Sequence, residues 1–168
     1  MNNILSKNKT KISVIILRYK MDEEIENISA HCNYCIYSSF VFLTNVLAGI
    51  YFKQYLYAFL FLLLTYTSIV HHSSKTQLTN ILDKIALYSI IFYGGYKFYT
   101  SIITTKVSSK IIIKYIFIVT TFLSVIYLYL YGYLTNNYVF HHEYKMSQFY
   151  HVLMHLISSF GHHIIIAL

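Results

Sequence analysis

Five long apolar runs, joined by polar connections, constrain this chain more than any motif does. A bilayer-spanning helix needs roughly 20 predominantly apolar residues. Inside hydrocarbon its backbone groups must be satisfied within the segment itself. The runs fall at 36–52, 55–70, 78 or 81 to 99, 111–134 and 147–168. The expected fold class is all-α: a polytopic transmembrane helix bundle of about five spans, forming one multi-pass domain over 36–168. With 57% hydrophobic and 11% charged residues, the composition argues against a soluble domain of this length.

Residues 1–35 read as a polar N-terminal tail. Five basic residues (Lys7, Lys9, Lys11, Arg18, Lys20) precede an acidic run of Asp22, Glu23, Glu24 and Glu26. The island from 12 to 17 follows basic residues as a signal peptide would. It is shorter than the usual apolar segment of about 7 to 15 residues and lacks a small-residue cleavage site, so an interfacial amphipathic turn is expected. The formal charge of +7 comes from lysines scattered among apolar runs. With no basic stripe, lipid headgroups are the expected partner and nucleic acid is not. Cys32 and Cys35 are the two cysteines. One C-x-x-C cannot close a four-ligand zinc site, so a chance pair, or a short disulfide on a lumenal side, is expected.

Ionisable residues at the edges of apolar helices are costly unless they pair, ligate or face the protein interior. Short connections make the second and third runs a hairpin, which puts His72 and Asp83 at one membrane face. Five spans also place the start of the last run, with His151 and His155, at that same face. His151 and His155 are i and i+4, one turn apart on one side of a helix, and can share an ion. Ser68 and His72 have the same relation, whereas His71 is turned about 100° away and is expected to face elsewhere. His72, His151 and His155 would make the three-imidazole set of an open zinc site. Asp83 would hold or deprotonate a water there, or orient a ligand through its second ring nitrogen, and Ser68 would donate to a carbonyl oxygen.

Gln148, Ser158, Ser159 and His162 continue the stripe of the last run and should face the bundle interior. His162 lies about 16 Å along the axis from His151, too far to share the ion, and is expected to be hydrogen-bonded there. Gly94-Gly95 should permit close packing or a bend. His141-His142-Glu143 reads as a surface cluster on a loop. Any single buried His or Ser can equally be a helix-to-helix hydrogen-bonding group. Bis-histidine haem binding is disfavoured because the His-x3-His pair shares one helix.

The pattern Ser68-x3-His72, Asp83 eleven residues later, then His151-x3-His155 on the last run, resembles the CREST superfamily of membrane hydrolases. That group includes alkaline ceramidases and the progestin and adipoQ receptors, and the segment from His72 to Asp83 looks most like the ceramidases. The resemblance implies Zn2+ on His72, His151 and His155, assisted by Ser68 and Asp83. It also implies hydrolysis of an amide bond in a ceramide-like lipid at the membrane interface. The chain departs from the family in having about five spans where seven are usual, and in placing Lys84 after Asp83. With two spans fewer, the acyl-chain cavity of the family is kept only if a second copy supplies the missing wall, as in a homo-oligomer. The competing class is a noncatalytic lipid-binding, receptor-like or structural membrane protein that retains zinc. For orientation, Lys97, Lys106, Lys110 and Lys114 favour a cytoplasmic third connection, while the basic tail argues the reverse. Sequons at Asn8 and Asn27 lie on the site-bearing side.

Overall fold

The structure, a computed structural model, describes residues 34–74 and 76–168. The segment 12–17, Cys32 and the sequons at Asn8 and Asn27 lie outside the described residues. Each of the five apolar runs forms a helix: α1 (Tyr34–Tyr51), α2 (Tyr55–Ser74), α3 (Gln77–Thr104), α4 (Ser109–Thr135) and α5 (Tyr144–Ile166). The fold is all-α, with no strand among the described residues. Three helices, α1, α2 and α4, are long and apolar enough to cross a membrane. The other two are longer than α1 but more polar: α3 carries Asn80, Asp83, Lys84 and Lys97, and α5 carries Lys145 and four histidines.

Local chemistry sets the boundaries. Lys53, at φ 58°, turns the chain between α1 and α2. Thr76 caps α3 by accepting from Thr79 N at 3.3 Å, and Ser108 caps α4 by accepting from Ile111 N at 3.4 Å. Such caps satisfy amide donors that a helix start leaves unpaired. Asn136 ends α4 in the left-handed region, φ 53°. Within α4 the turn Tyr127–Tyr131 widens to π-helical hydrogen bonding. Tyr127 there stacks on Tyr131 and bonds the hydroxyl of Tyr138 at 2.9 Å, tying the following loop to the helix.

Helix α5 is the centre of the array, touching α1, α3 and α4, while α2 packs between α1 and α3. Tyr57, Phe61, Ile90, Ile118, Ile165 and Ile166 form much of the apolar core. Gly94 is where α3 comes close: a Cβ there would sit 2.7 Å from the Tyr57 hydroxyl and 2.9 Å from His162 Cε1. Gly95 has open space around it. Of the expected pair, Gly94 alone serves close packing. The last carbonyls of α5 take donors from other helices, Gln54 Nε2 on Ile166 O at 2.9 Å and Lys114 Nζ on Ala167 O at 2.8 Å. These bonds satisfy acceptors that every helix end exposes.

Helix α4 is peripheral. In its apolar window 11% of residues are buried, against 44% in α2. It packs chiefly on α5, at Thr121 against Gly161, and touches α3 through Tyr115, whose hydroxyl lies 3.0 Å from Ser101 Oγ.

Candidate metal centre

His72 sits in the last turn of α2, and His151 and His155 in the first half of α5. One ring nitrogen from each lies within 4.8 Å of the other two. The rings meet at steep angles, with centroids 4.9 Å apart for His72 and His151, 4.8 Å for His151 and His155, and 5.8 Å for His72 and His155. His72 and His155 are buried and His151 is half-buried. Phe42 of α1 packs on His155 with centroids 5.0 Å apart, an apolar wall behind the ligand atoms. The alternation of helix directions explains the meeting: the end of α2 and the start of α5 lie at the same end of the bundle.

The first turns of α1 form a platform against this cluster. Ser38 Oγ and Ser39 Oγ both donate to the Cys35 carbonyl, at 3.0 and 2.8 Å. Beyond them, Phe40 N bonds Tyr37 O and Val41 N bonds Ser38 O, the i to i−3 pattern of a tightened helix. Side-chain hydroxyls that capture nearby carbonyls commonly disturb a helix in this way. Ser38 Oγ is also 2.8 Å from His155 Nδ1, and Ser39 Oγ is 2.9 Å from Ser68 Oγ. Ser39 has one hydrogen, which goes to Cys35, so Ser68 is the donor in that second bond. Cys35 Sγ contacts Gln148 Oε1 of α5, joining the two helices just beside the cluster.

Asp83 is half-buried on α3 and accepts from Thr67 Oγ1 at 3.1 Å through its Oδ1. It is not among the residues whose ligand atoms converge. Thr67 and His71 are i and i+4 on α2, so His71 shares the face that meets Asp83. Its ring centroid is 5.3 Å from that of His72, and it lies within electrostatic range of both Asp83 and His151. His71 is thus not one of the three convergent ligands, yet it stands beside them.

The deeper half of α5 carries a second polar set. Asn45 Nδ2 donates to Ser159 O at 2.9 Å and lies 2.6 Å from His163 Nδ1, while Ser159 Oγ donates to Asn45 Oδ1 at 2.5 Å. His162 Nδ1 is 2.6 Å from the Tyr57 hydroxyl. His162 is therefore the hydrogen-bonded interior residue expected of it. Of the remaining stripe, Ser158 is half-buried, and Gln148 reaches α1 as described. His141 and His142 stack on the loop at 4.3 Å, with Glu143 N donating to His141 Nδ1 at 3.0 Å; they lie apart from the triad.

Sequence spacing identified the three histidines. It missed Ser38, Ser39 and Asn45 of α1, although polar residues inside an otherwise apolar run were the available signal. The chain matches no family model, no curated protein and no solved structure. The donor set can therefore be judged only on its own chemistry. Three imidazoles from two helices, buried beside an apolar wall and with one ring held from behind by a hydroxyl, can hold a metal ion.

Proposed function

We propose that the chain is a zinc-dependent integral-membrane hydrolase that cleaves an amide bond in a ceramide-like lipid at the membrane interface, as a reduced relative of the CREST superfamily. The observation that carries this reading is the convergence of His72 with His151 and His155, with Asp83 on the neighbouring helix α3 within electrostatic range of His71. In this reading all five helices cross the bilayer. The 28 residues of α3 and 23 of α5 exceed the roughly 20 required, and their buried polar residues turn inward.

His72, His151 and His155 would hold the ion. When bound, zinc supplies Lewis acidity toward a carbonyl oxygen and acidifies water. Thr67 engages Asp83 Oδ1, which leaves Oδ2 to take up a proton as water adds to the acyl carbon. The carbon–nitrogen bond then breaks, and the same proton passes from Oδ2 to the departing amine. Ser68 can rotate its hydroxyl from Ser39 toward the carbonyl oxygen in the lipid. Steep loss of turnover with metal retained is the signature of this division of labour. Asp83→Asn should lower fatty-acid release from ceramide about 10²- to 10⁴-fold while zinc per chain stays unchanged.

One observation favours a second reading, a noncatalytic lipid-binding or structural protein that keeps its metal. A cleft of about 470 Å³ lies between α4 and α5, lined by Leu123, Tyr127, Leu128, Leu153 and Ile157 among others, with no histidine in its wall. Absence of product from zinc-loaded wild type across a panel of lipid amides would favour that class.

A further inference from the structure

We infer that Ser38 is a positioning residue for the metal centre: it fixes His155 in the tautomer that carries its hydrogen on Nδ1 and so presents Nε2 as the ligand atom. This rests on the metal-site reading above. A serine hydroxyl has one hydrogen and two acceptor lone pairs. Ser38 directs that hydrogen to the Cys35 carbonyl at 3.0 Å. Its 2.8 Å contact with His155 Nδ1 must then run from ring to hydroxyl, with Nδ1–H donating. A neutral imidazole with its hydrogen on one nitrogen offers a lone pair on the other, and here that other nitrogen is Nε2.

Several features hold this arrangement. Ser39 makes a parallel bond to the same carbonyl at 2.8 Å, so the two hydroxyls and the tightened turn after them keep one another in register. The Cys35 to Gln148 contact fastens this turn to α5, the helix that carries His155. Phe42, two turns along from Cys35, packs against the His155 ring and restricts its rotation. Ligating histidines are generally oriented through the second ring nitrogen, and loss of that partner lowers metal affinity about 10- to 100-fold. In this chain the partner is a helical hydroxyl from α1. The element that delivers it supplies no ligand, so α1 becomes part of the metal centre by way of its carbonyl geometry.

Two measurements test this on the full-length, detergent-purified chain. In the metal-free protein labelled with ¹⁵N-histidine, the His155 signals, assigned by their loss in His155→Ala, should show a protonated Nδ1 and an unprotonated Nε2. Ser38→Ala should move the population toward protonated Nε2, and Ser38→Thr, which keeps the hydroxyl, should restore the wild-type pattern. In Co2+ titrations followed by visible absorption, Ser38→Ala should bind about 10- to 100-fold more weakly and Ser38→Thr close to wild type. A wild-type spectrum with Nε2 protonated, or Co2+ affinities within twofold for wild type and Ser38→Ala, would overturn the role of Ser38 while the metal centre stands. Wild type that takes up neither Co2+ nor Zn2+ would overturn the metal centre itself, and the positioning role with it. Helical circular dichroism and monodispersity of each variant separate these outcomes from misfolding.

Discussion

The two halves of α5 each carry a pair of histidines inside the same bundle, yet the two pairs face different partners. His162 and His163, in the deeper half, each face a neutral partner on another helix, Tyr57 and Asn45. His151 and His155, in the outer half, face each other and His72, ring edge against ring face. Paired with hydroxyls and amides, buried imidazoles act as staples between helices. Turned toward one another, with one ring nitrogen of each within reach of the others, three imidazoles could hold a cation. Residue type and burial therefore do not separate the two pairs on this helix, whereas the facing atoms do.

That contrast can be broken most directly with metal content. Elemental analysis should find about one zinc per chain in wild type. Replacing His72, His151 or His155 with Ala should remove it, whereas His162→Ala and His163→Ala should leave it in place. Equal losses from both halves would erase the distinction. A smaller effect is expected from Asn45→Ala, because the Ser159 hydroxyl loses its acceptor in a buried site while His163 Nδ1 keeps the Ser159 carbonyl. Denaturant titration in detergent should show destabilisation of about 1–3 kcal/mol with metal binding unaltered. The smallest change is expected from Tyr57→Phe, which removes one interhelical hydrogen bond worth about 0.6 and at most about 1.7 kcal/mol. Gly94→Ala sharpens this last test, since its added methyl would strike the Tyr57 hydroxyl. Combined with Tyr57→Phe it should cost less than the two separate losses added together, because the hydroxyl it collides with is gone.

The five helices were legible because hydrophobic run length is a local property and each run is close to what a helix needs to cross a bilayer. The ends were less legible. Helix α5 starts at Tyr144, ahead of the expected 147, and α3 continues to Thr104, because hydrogen bonding carries a helix past the last strongly apolar residue. The i, i+4 spacing of His151 and His155 is set by helix geometry alone. His72 joined them through a counting argument, in which short connections force neighbouring helices to alternate in direction. The role of α1 was hidden in the sequence. Cys35, Ser38, Ser39 and Asn45 fall among apolar neighbours, and nothing local says which of them faces α2, which faces α5 and which faces lipid.

The amino-acid sequence by itself thus determined the number of helices, their up-and-down order and the end of the bundle at which three histidines gather, since periodicity and connection length require no partner to act. Tertiary structure alone decided which atoms oppose one another. The rotation of α1 about its axis depends on how its side chains pack against α2 and α5. That rotation sets Ser38 behind His155, Ser39 against Ser68, and Asn45 between Ser159 and His163.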